Sequence, residues 1–156
     1  MPHVILKRVI NAPVAKVWES WDDYAHIEKF NPNLSASYLV NQSQPTGLGA
    51  ERQCDLSDGR NFIQERIIDY VPNRRMKIEI FNGTLPVRDT FATIEMQETG
   101  PDRTEVTFRM EFVPKFGLIG RMMVPMMKPQ FRKLLGRLLD ANKAYVEDGV
   151  EIMRAA

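Results

Sequence analysis

The stretch at residues 51–67, ERQCDLSDGRNFIQERI, turns back on itself at Asp58–Gly59. Asp-Gly between two β-prone runs is the signature of a two-residue hairpin turn. With that turn, Ser57 faces Arg60, Leu56 faces Asn61, Cys54 faces Ile63 and Arg52 faces Glu65. One side of the pair then carries Ala50, Arg52, Cys54, Leu56, Asn61, Ile63, Glu65 and Ile67. The other carries Glu51, Gln53, Asp55, Ser57, Phe62, Gln64, Arg66 and Ile68. The first side is the more apolar and is expected to face the core, yet it holds an arginine opposite a glutamate. An unpaired buried charge is prohibitive, so a cross-strand pair is the minimum that can stand there. A pair beside a wet cavity costs less than one in dry core. The pattern therefore predicts a pocket with Arg52 and Glu65 as polar anchors. A structural ion pair near the sheet's rim, with no ligand, is the competing reading. A register shifted by one residue would send both charges to solvent.

Outward from the hairpin, HVILKRVI reads as a first strand, and NAPVAKVWESW as a helix with Pro13 in its first turn. Val14, Val17, Trp18 and Trp21 recur at helical spacing, so both tryptophans pack. DDYAHIEKFNPN is a second short helix, and LSASYLV a strand. Further strands are expected at 49–56, 60–71, 74–82, 86–97 and 103–113, separated by turn signals at Asp58–Gly59, Pro72–Asn73, Asn82–Gly83 and Gly100–Pro101. TEVTFRMEF is the clearest strand, with Val106, Phe108, Met110 and Phe112 alternating with polar residues. From Gly117 the period becomes helical, and one long helix is expected over 129–150. Its apolar side carries Phe131, Leu134, Leu135, Leu138, Asn142, Tyr145 and Val146, with Leu134, Leu138 and Tyr145 largely buried. Pro125 and Pro129 are expected to kink or interrupt it.

The order is therefore α+β: a strand, two short helices, the rest of a curved antiparallel sheet of six to seven strands, and one long C-terminal helix to cover its apolar face. A sheet wrapped round one helix leaves a space between them. A cavity of several hundred Å3, roughly the range of ligand sites, is expected there. Its proposed lining is Arg52, Ile63, Glu65, Ile78, Ile80, Thr90, Phe108, Met110, Asn142 and Tyr145. The 156 residues suit one domain over 1–156. A net charge of +1 gives no reason to expect nucleic acid. No apolar run approaches the ~20 residues that span a bilayer. The N-terminus lacks a signal peptide's pattern. With one cysteine there is no internal disulfide, and the expected compartment is the cytoplasm. His3, His26 and Cys54 make a poor zinc set, and no cofactor motif is present.

The segments RVINAPVAKVWESWDD…FNPN, GLGAERQCDLSDG…ERIIDYVP, LPVRDTFATIEM and TEVTFRMEF, followed by a long terminal helix, resemble the START-like (SRPBCC) polyketide cyclase/dehydrase and lipid-transport proteins. That superfamily includes the birch-pollen allergens and the plant abscisic-acid receptors. The resemblance covers nearly the whole chain. It implies a helix-grip fold and a cavity for hydrophobic small molecules such as lipids, polyketides or aromatic compounds. SDGRNFIQER resembles the receptor segment with the gate loop and an inward glutamate, which falls on Glu65 here. The gate's own sequence is not matched, so hormone sensing is not implied.

Three functions remain open on this reading. The favoured one is binding, carriage or sensing of an apolar molecule with a polar group, by a monomer or homodimer. The others are a cyclase or dehydratase acting on such a molecule, and a protein-interaction module with a collapsed cavity. His26 near Asp22 and Asp23 reads as a surface helix residue before it reads as a base, and Cys54 as a small buried hydrophobe before a nucleophile. No residue is assigned a catalytic role. GLIGRMMVPMMKPQF has three readings: a portal lid, a surface for transient contact with membrane or a partner, or a cap on the core's open end.

Overall fold

In a computed structural model describing residues 1–152, one seven-stranded antiparallel sheet carries the chain. Residues 153–156, which the expected domain includes, lie outside the described residues. The strands are β1 (His3–Ile10), β2 (Leu34–Leu39), β3 (Glu51–Leu56), β4 (Phe62–Val71), β5 (Arg75–Gly83), β6 (Val87–Gly100) and β7 (Arg103–Pro114). Their order across the sheet is β1-β7-β6-β5-β4-β3-β2. Between β1 and β2 come helix α1 (Val14–Asp22) and a short 3-10 helix (Tyr24–Lys29). Helix α2 (Gly117–Asp148) follows the last strand. The sheet curves round α2, which is the helix-grip arrangement expected.

The hairpin register is the one the turn dictates: Arg52 lies opposite Glu65, and Cys54 opposite Ile63. The Asp58 carboxylate accepts the backbone N–H groups of Arg60 and Asn61 at 2.8 and 2.9 Å, and Gly59 takes φ 75°. These two bonds pull the Asp58 carboxyl down to about 2. The face with Ala50, Cys54 and Ile67 is buried, and the face with Ser57 and Ile68 is exposed.

Helix α2 departs from expectation in two ways. It runs unbroken from Gly117, with Pro125 and Pro129 inside it. Each proline deletes one bond to the carbonyl four residues back, but both sit on the solvent side, where water can take the freed carbonyls. The buried stripe also differs. Leu135, Leu138, Leu139, Asn142 and Val146 are buried, whereas Leu134 is 40% exposed and Tyr145 is half-buried. Leu139 joins Leu135 and Leu138 in the core, and Leu134 does not. The charged side is as expected, with Arg132 and Arg137 exposed. No helix among the described residues is long and apolar enough to cross a membrane.

Candidate functional site

Arg52 and Glu65 meet inside the molecule, with side chains only 4% and 9% exposed. Nε of Arg52 donates to Oε2 of Glu65 at 2.6 Å, and Nη2 lies 2.6 Å from the same oxygen. Nη1 donates to the Tyr24 carbonyl at 2.8 Å, and the guanidinium lies 3.9 Å from the Tyr24 ring centroid. The 3-10 helix thus supplies a floor of one carbonyl and one aromatic face. Beside Glu65 the β4–β5 register slips by one residue: Gln64 pairs with Asn82 but Glu65 with Ile80. A bulge of this kind bends the strand and re-aims the side chain next to it.

Burial and charge set the protonation states here. Burial alone would lower the Arg52 guanidinium, and the Glu65 carboxylate more than offsets it, holding it above its ordinary value. Burial pushes the Cys54 thiol far up, and the nearby Glu65 carboxylate adds to the shift. Its Sγ lies 3.7 Å from Glu65 Oε2. Burial likewise raises the Tyr24 phenol out of the ordinary range. Both groups stay neutral, and of the two only Cys54 lines the cavity, so the wall presents one compensated ion pair and one protonated thiol.

A cavity of about 60 Å3 adjoins the pair, lined also by Trp21, Asn31, Leu34, Ile63, Ile78, Phe108 and Leu138. It has room for at most a few waters and is far below the several hundred Å3 expected. Trp21 is one of the large side chains that occupy the space. It projects from α1, lies edge-on to Phe30 with centroids 5.4 Å apart, and lies 6.2 Å from the Phe108 ring. The Trp21 indole N–H and the Tyr24 hydroxyl are buried and find no partner among the described residues.

Of the ten lining residues expected, Arg52, Ile63, Glu65, Ile78 and Phe108 meet at this cavity. The other five do not line it. Ile80 opens onto a separate cleft of about 300 Å3 beside the β5–β6 connection. Thr90 is buried and returns its hydroxyl to the Arg88 carbonyl. Met110 is packed in the core. Asn142 donates to Ser20 Oγ at 2.9 Å, joining α2 to α1. Tyr145 stacks on Phe30 at 5.2 Å. Ile63 lines both the cavity and the cleft, so it is the side chain the two spaces share. Trp21, Leu34 and Leu138 escaped sequence reading as wall residues. Trp21's helical spacing marked it as packed, but nothing local marks which cavity it fills.

His26 is on the surface, its Nδ1 2.7 Å from Asp23 Oδ1. Asp22 accepts instead from Thr46 and Tyr70, each at 2.7 Å. No cluster of three or more metal-ligating side chains occurs among the described residues.

The family model described as polyketide cyclase/dehydrase and lipid transport matches residues 1–147. No curated protein sequence matches the chain. Solved structures similar in fold include XoxI from Bacillus cereus, with TM-score 0.79 and 21% identity, covering 95% of this chain and 97% of that one. A START superfamily protein from Mycobacterium smegmatis has TM-score 0.78 at 16% identity, covering 93% and 97% of the two chains. Norcoclaurine synthase from Thalictrum flavum has TM-score 0.74 at 18% identity, covering 94% of each.

Proposed function

From the premise that the chain belongs to the polyketide cyclase/dehydrase and lipid-transport family, we propose that it binds a hydrophobic small molecule between the sheet and α2. It would act as a single domain that carries or senses that molecule. The observation that carries this reading is the unpartnered indole N–H of Trp21, on a cavity wall that already holds the buried Arg52–Glu65 pair. A buried donor without an acceptor costs about 1–3 kcal/mol. A ligand oxygen that reaches this N–H would remove that cost. The ligand's polar end is then a hydrogen-bond acceptor beside Arg52, and its apolar end extends past Ile63 into the cleft. Together the two spaces approach the volume of ordinary small-molecule sites.

Binding is favoured over a cyclase or dehydratase because the wall lacks a free acid or base. Arg52 and Glu65 neutralise each other, and the Cys54 thiol is held protonated by burial. A free buried thiol fits a reducing compartment, and we assign the protein to the cytoplasm. Native mass spectrometry of the purified chain, with calorimetric titration of decanoate and of naphthol, tests the reading. A co-purified small molecule, or one-to-one uptake of either probe, is expected. A chain that carries nothing and takes up neither probe would leave the interaction module with a collapsed cavity.

A further inference from the structure

The first half of α2 takes no part in the cavity and leaves most of its apolar side chains in water. Phe116, Leu118, Ile119, Met122, Met123 and Met126 are between 44% and 80% exposed. Leu118, Met122 and Met126 follow at intervals of four, and Ile119 and Met123 form a second row beside them. These rows make one continuous stripe on the helix. The opposite side is seated on the protein. A Cβ on Gly120 would lie 1.9 Å from the Lys115 carbonyl oxygen, so only glycine lets the first turn lie this close. Phe116, at φ 72°, holds a backbone conformation that a bulky residue rarely takes, and its ring is left outside. Met127 and Phe131 pack against the core, while the side chains of this stripe point away from it.

Its charge is one-sided. Between Glu111 and Asp140 there is no acidic residue, while Lys115, Arg121, Lys128, Arg132, Lys133 and Arg137 are all basic. None of these six makes an ion pair among the described residues. Arg121 and Lys128, seven apart, lie along one flank of the apolar stripe, with Arg132 four residues further on.

We propose that this face docks the protein onto anionic lipid bilayers. An apolar stripe flanked by uncompensated cations is the arrangement that lies in a membrane interface, with methionine and leucine among the acyl chains and the cations among phosphate headgroups. The helix is not apolar enough to cross, so it lies on the surface. A second copy of the chain is a poorer occupant, because it would press two wholly basic faces together. Lys115 lines the cleft that Ile63 shares with the cavity, so the docked face stands beside that opening. The proposal holds whatever the cavity carries.

The test is flotation of the full chain with phosphatidylcholine vesicles, and with vesicles of equal phosphatidylcholine and phosphatidylglycerol. Binding to the anionic vesicles alone, weakening as salt rises, is expected. Arg121→Gln with Lys128→Gln lowers partitioning about thirty-fold. Met122→Glu with Met126→Glu abolishes it while leaving the melting temperature unchanged, since both side chains are in solvent. No flotation with anionic vesicles at low salt overturns the proposal, as does equal binding to both vesicle types. Concentration-dependent self-association in sedimentation velocity, abolished by Met122→Glu and without vesicle binding, assigns the face to a second copy and also overturns it.

Discussion

Replacing Glu65 by glutamine removes one charge from the cavity wall and almost no volume. The amide oxygen can still accept from Arg52 Nε, so the hydrogen bond survives and the loss isolates the charge. Arg52 is 4% exposed, and beyond that amide oxygen it keeps the Tyr24 carbonyl at 2.8 Å and the Tyr24 ring face at 3.9 Å, none of them charged. Bulk solvent cannot reach it, and a cavity of about 60 Å3 offers at most a few waters in compensation. Breaking a buried pair by removing one partner costs about 3–5 kcal/mol, and the retained hydrogen bond places Glu65→Gln at the lower end. For a domain of this size, about 3 kcal/mol lowers the melting temperature by roughly 6–12 °C. Arg52→Met combined with Glu65→Leu removes both charges and is expected to recover most of that loss, because apolar replacement of a whole buried pair is often neutral. Thermal melts of the single and double variants measure this directly. A titration with decanoate then asks whether the pair faces the ligand. In Glu65→Gln the guanidinium is uncompensated, and the decanoate carboxylate can take Glu65's place. A charge-assisted hydrogen bond of about 1.5–3 kcal/mol would tighten binding roughly ten- to a hundredfold. A melting temperature equal to that of the unaltered chain would refute the buried pair. A large thermal loss with unchanged decanoate affinity would make the pair structural and remove it from the ligand site.

Ile63→Ala should merge the cavity with the cleft and tighten decanoate binding, at a cost of about 2 kcal/mol in stability because the side chain is only half-buried; unchanged affinity would show that Ile63 does not divide the two spaces. Leu139→Ala should cost about 3 kcal/mol and Leu134→Ala under about 1 kcal/mol, as urea unfolding will show, because only Leu139 is fully buried. Stability should fall as pH rises above 9.0, the ordinary value of the thiol: the unfolded thiol releases its proton while the buried Cys54 keeps it, a slope of about 1.4 kcal/mol per pH unit. Tyr24 adds the same sign above its ordinary 10.0, and Cys54→Ala should abolish the first part of this loss and leave the second, as urea midpoints across the alkaline range will show.

The charge pair was legible because two local rules fix it. A two-residue Asp-Gly turn sets the register, and the strand period of two then places Arg52 and Glu65 on one face. The leucines of α2 were not legible to the same precision. Leu134 and Leu139 both border the apolar stripe, and only the angle at which the helix meets the sheet decides which is covered. The two prolines do not interrupt the helix, because that penalty depends on whether the freed carbonyls reach water, and here both sit on the solvent side.

Cavity volume is a third kind of quantity, because it is the residue left when side chains from distant segments have filled a space. Trp21 from α1, Leu34 from β2 and Leu138 from α2 meet there, and no pairwise spacing in the chain predicts how much they leave. The same three-way meeting constrains the ligand. Arg52 already has its counter-ion, so an anionic ligand must compete with Glu65, whereas a neutral oxygen need only accept from Trp21 Nε1. A ketone, ester or ether oxygen on an apolar body satisfies the unpartnered donor without disturbing the ion pair. In the unaltered chain such a ligand should outbind a carboxylate of equal apolar area, and the order should reverse in Glu65→Gln, where the guanidinium lacks its partner. Calorimetric titration of 2-decanone against decanoate in both proteins reads that reversal. The same order of affinity in both would mean that Arg52 does not face the ligand.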